Sequence, residues 1–552
     1  MTASPIPPPQ SPAPPIESER GIWTIIGASS AGTLIEWYDF YIFATLSAVV
    51  SSRFFPAEEG IVGFIKTLAV IWIGFVVRPF GALVFGRVGD VVGRKYAFLV
   101  TLLLMGGSTF AIGLLPTYDQ AGLMSPMLLL GLRVLQGLAL GGEYGGAATY
   151  VAEHCPDNKR GFYTSWIQTT ATLGLFMALG VVLLCRSVLF DKATFESWGW
   201  RVPFWISLLL VIFSLVLRMR LNESPMFLRM KASGRASVNP LKESFGNWTN
   251  LRLVLLALFG AAAGQGVVWY TGQFYAMAFI QKTLLIEFQQ SIFIIAPALL
   301  LATPFFIFWG WLSDRVGRKW IMLAGCLLAL CTYLPIYHAM SRAGDPALKS
   351  AVDSSTRTIG EPLTRTVERA DLNSGAAVGD TLTTTVVERL YTDGSKARFN
   401  LYHIQPPALG ASPRTTEKLS ELTLGDSSYV RMVLLIALQV FYVTMVYGPI
   451  AAFLVELFPT RIRYTSMSLP YHIGNGVFGG LVPFAATWIA TAAAGSTSGL
   501  AQWVGGPKFL GLLYPMFVAA VTLIVGSLLV RERFRAPLDD AAPGPAAPPP
   551  RN

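Results

Sequence analysis

The chain contains twelve apolar runs, each about as long as the roughly 20 residues that a helix needs to cross a bilayer. Runs of this length argue against a transmembrane β-barrel, whose strands alternate over only about 10 residues. They predict an all-α membrane protein with twelve transmembrane helices. The predicted spans are 22–50, 60–83, 96–116, 124–151, 162–186, 201–218, 251–277, 289–311, 320–340, 429–457, 465–492 and 509–530.

Composition agrees with a membrane protein, because 53% of the residues are hydrophobic and only 13% are charged. A soluble protein carries about 25% charged residues. The four cysteines and four histidines are scattered without metal-ligand spacing, so we expect neither a metal nor a cofactor. The net charge of +10 would suggest a nucleic-acid partner in a soluble domain, but the positions of the basic residues give it another origin.

Lys and Arg concentrate in alternate connections between the predicted spans, and positively charged loops stay cytoplasmic. Both termini are therefore predicted to be cytoplasmic, in a multi-pass protein of the cytoplasmic (inner) membrane. Six spans precede a basic segment and six follow it. The predicted segments are a disordered Pro-rich tail 1–20, a first half 21–218, a cytoplasmic linker 219–250, a second half 251–530 and a disordered tail 531–552.

Residues 341–428 break the apolar pattern between the ninth and tenth spans, on the predicted outer side. Within them TTTVVERLY, TDGSK and ARFNLYHI read as two strands joined by a turn at Asp393 and Gly394. We predict a small β-rich extracytoplasmic insertion. A passive loop, a lid and a partner-binding element all remain open as its role.

One motif occurs twice, as GRVGDVVGRK (Gly86–Lys95) after the second span and as GWLSDRVGRK (Gly310–Lys319) after the eighth. Equivalent positions in two sets of six spans predict two halves of common ancestry, a parallel repeat. The glycines permit close helix approach, and the acids can face helix N-termini or basic neighbours. We expect these residues to form ion pairs that break when the halves rock. Simple positive-inside anchoring is the alternative reading for the lysines.

Longer stretches resemble a known family: GTLIEWYDFYIF, RPFGALVFGRVGD, RVLQGLALGGEYGGAATYVAEH and MVYGPIAAFLVELFPTRIRYTSMSLPYHIGNGVFGG. They are similar to the metabolite:proton symporters of the major facilitator superfamily. The resemblance implies two six-helix halves around a midplane cavity, alternating access and a proton gradient as the driving force. It also implies a small polar substrate, either an organic acid such as oxoglutarate, citrate or shikimate, or a zwitterion such as proline or betaine.

Three charged residues in apolar spans are candidates for proton coupling: Glu36, Asp39 and Arg133. A charge at the centre of a membrane helix costs about 2.5–3.5 kcal/mol on insertion scales, so it is normally paired or functional. Glu36 and Asp39 share a helix face, and Arg133 falls near their level, which allows an acid–Arg pair. Arg133 and Gly137 also match the RxxxG pattern that the family associates with proton transfer. The alternative is a static pair that fixes helix packing.

Two further sets of residues follow from depth and motif, although each member could instead make an ordinary interhelical hydrogen bond. The predicted substrate cavity comprises Gln136, Gln168, Tyr270, Gln273, Tyr447, Tyr471 and Asn475. The predicted cytoplasmic gate comprises Arg78, Gly86, Asp90, Gly93, Arg94, Lys95, Glu143, Gly310, Asp314, Arg315, Gly317, Arg318, Lys319, Glu456, Arg461 and Arg463.

Together these features predict a monomeric secondary active transporter that moves a small polar metabolite by proton symport within a lipid bilayer. A uniporter of the same fold and a non-transporting sensor that uses the outer insertion are the alternatives. An enzyme is not expected, because the apolar core holds no Ser/His/Asp cluster, metal spacing or phosphate loop. No nucleic-acid partner is expected either.

Overall fold

The computed structural model describes residues 19–55, 61–234, 236–352, 356–367, 374–407, 412–534 and 538. Twelve long helices lie in these ranges, and ten of them are long and apolar enough by hydropathy to cross a membrane. The other two are the first two, at the predicted first and second spans. We label the twelve α1 (Glu19–Thr45), α2 (Ile61–Val91), α3 (Arg94–Ile112), α4 (Met124–His154), α5 (Arg160–Leu184), α6 (Gly199–Met219), α7 (Trp248–Thr283), α8 (Phe288–Val316), α9 (Lys319–Ala343), α10 (Asp426–Leu457), α11 (Thr460–Ala492) and α12 (Pro507–Leu529).

Short helices connect several of the spans. They are Ser47–Phe54, Tyr118–Ala121, Lys192–Ser197, Pro225–Ala232, Pro240–Gly246 and Gly499–Trp503. Most residues of the two predicted tails fall outside the described ranges.

The repeated motif forms the same connection twice. In each copy one membrane helix ends and the next begins within a few residues, from α2 to α3 and from α8 to α9. Gly317 ends α8 with a φ of 99°, in the left-handed region that favours glycine. The turn chemistry of GRK therefore reverses the chain at one face of the bundle in both halves.

Glycines of the motif allow the halves to touch. A Cβ on Gly86 of α2 would lie 2.8 Å from the Thr465 Cα of α11, and one on Gly310 of α8 would lie 2.4 Å from the Ser165 Cβ of α5. Both approaches join a helix of the first half to a helix of the second. Each motif copy therefore packs against the opposite half, as close helix approach through small residues permits.

Two helices contain π-helical segments within their bounds, and a further π segment, Cys185–Leu189, directly follows α5. α7 contains three π-helical segments, Leu258–Ala262, Thr271–Tyr275 and Phe279–Thr283, and α11 contains one at Ile473–Gly479. A Cβ on Gly266 of α7 would lie 2.3 Å from the carbonyl oxygen of Gly474 in α11, so the two helices cross almost in backbone contact. Single π turns of this kind are frequent at functional sites.

The predicted insertion is a four-stranded antiparallel sheet in the order β1-β2-β3-β4. Its strands are β1 (Arg357–Thr366), β2 (Thr381–Leu390), β3 (Lys396–Gln405) and β4 (Arg414–Thr423). The predicted hairpin is β2 and β3, with Thr385 opposite Leu401 and Asp393 and Gly394 in the turn, so this prediction is confirmed. β1 and β4 add the two strands that had not been predicted.

The sheet is anchored to the bundle at the hairpin turn. Asp393 accepts hydrogen bonds from the Lys349 ammonium at 2.8 Å, from the Ser395 hydroxyl at 2.9 Å and from the Ser428 hydroxyl at 3.0 Å. Partial burial raises the pKa of Asp393, but these hydrogen bonds outweigh it and hold the pKa well below the usual range of the carboxyl group. The turn is therefore fixed to the start of α10, where Ser428 lies.

Candidate functional site

A chain of polar side chains crosses the first half between α1, α3 and α4. The Thr109 hydroxyl donates to Asp39 Oδ2 at 2.6 Å, and Gln136 Nε2 donates to the Thr109 oxygen at 2.6 Å. Arg133 Nη1 donates to Gln136 Oε1 at 2.5 Å. We call these four residues the polar chain. Arg133 and Asp39 are thus linked, but through an amide and a hydroxyl rather than by the direct pair that sequence reasoning allowed.

The polar chain has an atom without a hydrogen-bond partner at each end, among the residues that the structure describes. Asp39 Oδ1 and Arg133 Nε are buried without a hydrogen-bond partner in the part of the chain that the structure describes. The guanidinium carbon of Arg133 lies 3.3 Å from the centre of the Phe43 ring, which supplies a cation–π contact but no counter-charge. An unpartnered Nε is shared by several buried arginines of this protein, but buried carboxylate oxygens are normally satisfied, so the unpartnered oxygen of Asp39 calls for an explanation.

A second acid–Arg pair lies beside this chain. Glu36 Oε1 is 4.0 Å from Arg78 Nη1, whereas Glu36 Oε2 and Arg78 Nε have no hydrogen-bond partner among the described residues. Sequence depth suggested that Arg78 belongs to the cytoplasmic gate. In the structure its ion pair is with Glu36 in the middle of α1, because α2 is long enough to place Arg78 more than three turns before its end.

Aromatic side chains from both halves meet next to these charges. The rings of Tyr144 (α4) and Tyr471 (α11) stack with centres 3.7 Å apart, and the hydroxyls of Tyr471 and Tyr447 are 2.8 Å apart. Gln168 Nε2 donates to the Tyr144 hydroxyl at 2.8 Å. Three of the predicted cavity residues therefore form one group with Tyr144, which was not predicted.

The remaining predicted cavity residues are placed less uniformly. The Tyr270 ring packs 4.8 Å from that of Trp269, and Gln273 is buried one turn further along α7. Asn475 exchanges two hydrogen bonds with Gln265, at 2.8 and 3.1 Å, which joins α11 to α7. His472, next to Tyr471, is 1% exposed and both of its ring nitrogens lack a partner in the described structure.

The first motif copy takes part in a set of buried ion pairs that reaches the opposite half. Asp90 accepts from Arg94 Nη1 at 2.5 Å and from the backbone N–H of Thr465, at the start of α11, at 2.8 Å. Glu153, at the end of α4, accepts from Arg463 Nη1 at 2.9 Å and lies 3.7 Å from Arg94 Nη2. The acid at a helix N-terminus is the favourable arrangement that the motif predicted.

The second copy repeats this arrangement with the halves exchanged. Asp314 accepts from Arg318 Nη2 at 2.8 Å and from the backbone N–H of Gly161, at the start of α5, at 2.8 Å. Glu456, near the end of α10, accepts from Arg160 Nη1 at 2.5 Å and from Arg318 Nη2 at 3.0 Å. We call the eight residues of the two copies the ion-pair network: Asp90, Arg94, Glu153, Arg160, Asp314, Arg318, Glu456 and Arg463.

Sequence reasoning missed two members of the network, Glu153 and Arg160. Their signal is a second repeat, EHCPDNKR at Glu153–Arg160 and ELFPTRIR at Glu456–Arg463. In both copies a glutamate ends one helix, a proline follows three residues later and an arginine begins the next helix at the same spacing. Reading this repeat beside the GRK motif would have predicted the whole network.

Other predicted gate residues have more local contacts. Glu143 pairs with Arg218 of α6 and accepts from the Thr101 hydroxyl at 2.9 Å, all within the first half. Lys95 and Lys319 donate to backbone carbonyls of their own half, and Arg315 lies over the Trp311 ring. Gly93 approaches Glu223, and Arg461 pairs at the surface with Glu243 at 2.5 Å.

Among the described residues, no three His, Cys, Asp or Glu side chains are grouped as metal ligands would be. The contacts described above make the site a set of charges, amides and aromatic rings between two helical halves.

Comparison with known proteins shows what class of protein this arrangement belongs to. A family profile described as sugar (and other) transporter matches residues 24–239. The solved structure of the proton:xylose symporter XylE bound to 6-bromo-6-deoxy-D-glucose has the same fold, with a TM-score of 0.60, 14% sequence identity and coverage of 95% of this chain and 98% of that one. The fold is that of a major facilitator transporter.

Sequence relatives narrow the class further. The α-ketoglutarate permease of Escherichia coli (strain K12) is 34% identical over 60% of this chain and 74% of its own length. The inner membrane metabolite transport protein YhjE of the same strain is 32% identical over 85% of this chain and 88% of its own. A putative proline/betaine transporter of Staphylococcus haemolyticus (strain JCSC1435) is 35% identical over 54% of this chain, and the match spans 63% of that transporter. The chain belongs to the metabolite:proton symporter family of the major facilitator superfamily, whose members named here are transporters and not enzymes.

Proposed function

We propose that this protein is a proton-coupled symporter that moves a small carboxylate-bearing metabolite, an organic acid or a zwitterion, across the cytoplasmic membrane. The observation that carries the proposal is the polar chain: a buried acid, one of whose oxygens has no hydrogen-bond partner among the described residues, is linked to a buried arginine through a hydroxyl and an amide. A uniporter needs no such acid.

The proton is assigned to Asp39. Burying a carboxylate with one unpartnered oxygen is costly, and taking up a proton removes that cost. Loss of the negative charge leaves Arg133 without a nearby anion, so the guanidinium becomes available to a substrate carboxylate. Substrate and proton then stabilise each other's binding, which is the linkage that symport requires.

The substrate class rests on the charges and rings around the centre. Arg78 and Arg133 suit a carboxylate, because guanidinium groups bind carboxylates through paired hydrogen bonds. The neighbouring rings of Tyr144, Tyr471 and Tyr447 suit either a carbon skeleton or an alkylammonium group. Since relatives carry the names of both α-ketoglutarate and proline/betaine permeases, both classes belong in the first substrate panel.

The ion-pair network supports alternating access. It joins both halves at one face, with each acid shared between its own arginine and the opposite half. Opening that face requires these pairs to separate, so we assign the network as the gate on the predicted cytoplasmic side. With the network closed, we infer a state of the protein that is sealed on one side of its central site.

The test uses the purified full chain in proteoliposomes with an imposed pH gradient and a pH-sensitive dye inside. α-Ketoglutarate, proline and glycine betaine are supplied separately. Symport predicts uptake of one of them together with internal acidification. Uptake without acidification would establish a uniporter instead, and binding without uptake would leave a sensor.

Asp39→Asn tests the proton assignment in the same assay. The gradient-driven component of uptake should fall by about tenfold or more, because each 1.36 kcal/mol of lost coupling is a factor of ten. Counterflow exchange at equal pH should continue. Asp119→Asn, an exposed acid in the short helix Tyr118–Ala121, is the matched control and should transport like the parent. Full gradient coupling in Asp39→Asn would refute the assignment.

A further inference from the structure

A groove of about 690 Å³ lies between α9 and α10 near the sheet-bearing ends of these helices. Its walls are the apolar side chains of Pro335, Ala339, Leu434 and Leu435, and it also holds His338, Arg342 and Arg431. Arg342 is in the last turn of α9 and Arg431 is in the second turn of α10. The two helices therefore bring two cations to the same end of one apolar groove.

The groove faces the surface that the bilayer covers. On α10, Val430, Leu434 and Leu438 are 51%, 57% and 41% exposed, and they recur at the spacing of one helix face. On α9, Leu327 is 45% exposed and Cys331 is also exposed. Large apolar side chains exposed in a stripe are the lipid-facing surface of a membrane helix, so the groove opens to lipid.

Among the residues that the structure describes, neither arginine has an anionic partner. Both guanidinium groups are exposed, and no ion pair joins Arg342 or Arg431 to a carboxylate in the described ranges. Another basic residue, Lys508, donates to the Ser341 hydroxyl at 2.6 Å, next to Arg342 in the sequence. His338 is held by the Val504 carbonyl at 2.8 Å. The apolar groove therefore ends in uncompensated positive charge.

We propose that this groove binds one anionic phospholipid, with an acyl chain along Leu434 and Pro335 and the phosphate between Arg342 and Arg431. Charge complementarity selects the occupant, because a phosphodiester with a net negative headgroup matches two free guanidiniums, whereas a zwitterionic headgroup brings its own cation. An apolar solute without a phosphate would leave the arginines unpaired. A soluble anion would leave the leucine wall uncovered.

Simple snorkelling of two arginines to the water layer is the competing explanation. Snorkelling predicts no preference among phospholipids and no defined stoichiometry. The proposed site predicts one retained lipid, selected by its charge and lost when the two guanidiniums are removed.

Native mass spectrometry of the purified full chain tests this with added phosphatidylglycerol and, separately, phosphatidylcholine. The parent should retain one phosphatidylglycerol more than the Arg342→Gln/Arg431→Gln variant, with an apparent affinity about tenfold higher, the effect of removing two charge-assisted contacts. Phosphatidylcholine should bind both proteins equally and weakly. The matched control is Arg357→Gln/Arg414→Gln, which removes two exposed arginines from the sheet and should retain the lipid.

Arg342→Lys/Arg431→Lys guards against a folding artefact, since it preserves charge and should restore most of the retained lipid. Equal phosphatidylglycerol retention by the parent and the glutamine variant would overturn the proposal. If the parent bound phosphatidylcholine as tightly as phosphatidylglycerol, the proposal would also be overturned. Displacement of the lipid by inorganic phosphate would overturn it as well.

Discussion

The ion-pair network and the polar chain both contain buried charges, but they differ in how fully their carboxylates are paired. In the network, Asp90, Glu153, Asp314 and Glu456 each have at least two partners, and at least one belongs to the opposite half. In the polar chain, Asp39 has one hydrogen-bond partner, and its other carboxylate oxygen has none among the described residues. Full pairing holds one arrangement, whereas incomplete pairing leaves a group free to take up a proton or a ligand.

The largest expected effect comes from removing one of the paired carboxylates of the ion-pair network. Glu153→Ala leaves Arg94 and Arg463 buried without their shared acid, which should destabilise the closed form by about 3–5 kcal/mol. Cys155, buried two residues away, is the natural reporter. In a Cys331→Ser background, alkylation of Cys155 in detergent should become about tenfold faster or more.

Glu243→Gln is the control for that prediction, because its pair with Arg461 lies at the surface. An exposed pair contributes about 0–1 kcal/mol, so Cys155 should react as it does in the parent. If Glu153→Ala also left Cys155 protected, full pairing would not be what keeps the network closed.

The next prediction concerns Asp39 of the polar chain, whose carboxylate is only partly paired. Asp39→Asn should change the free energy of unfolding by no more than about 1 kcal/mol, because only one of its oxygens has a hydrogen bond to lose. Thermal unfolding in detergent measures this beside the uptake assay. A loss as large as that of Glu153→Ala would mean that Asp39 is a structural charge like those of the network.

A smaller effect is expected at a hydroxyl contact within the second half, beside the ring stack that joins the two halves. Tyr471→Phe keeps the stack on Tyr144 but removes the hydrogen bond to Tyr447, a change of about 0.5–1.5 kcal/mol. If Tyr471 contacts substrate, the apparent affinity in the uptake assay should weaken by up to about tenfold. Tyr442→Phe on the other side of α10 serves as the control and should leave uptake unchanged.

The smallest effect concerns the sheet anchor. The folded-state pKa of Asp393 is depressed, so its stabilising contribution is fully present above the unfolded-state value of about 3.9 and is lost as the pH falls through the lower folded value. The protection of β2 and β3 against hydrogen exchange, taken relative to the intrinsic exchange rate at each pH, should therefore fall below about pH 4. In Asp393→Asn the protection should already be lower at neutral pH and change less with acidification.

Hydropathy and repeats predicted most of the fold, because each long apolar run has one inexpensive solution in a bilayer, a helix. The hairpin was readable from Asp393 and Gly394 between alternating residues. β1 was not, since RTIGEPLTRT lacks alternation and contains both Gly360 and Pro362, so its strand conformation depends on pairing with β2.

The site was predictable by residue type more than by partner. Asp39, Arg133 and Gln136 were recognisable as costly polar groups in apolar helices, but Thr109, which links them, looks like any helical threonine. Asn475 was predicted for the cavity, with an interhelical hydrogen bond as the alternative, and its partner Gln265 could not be read from the sequence because the pairing depends on how closely two glycines let α7 and α11 approach.

The π turns of α7 and α11 have a consequence for motion. A π turn holds one residue more than an α turn, so shifting it along a helix rotates the residues that it passes by about 100° without breaking the helix. α11 carries its π segment directly after Tyr471 and His472, at the crossing with α7. A shift of this π segment would turn aromatic side chains of the second half toward or away from the centre, while the two ends of α11 stay in place.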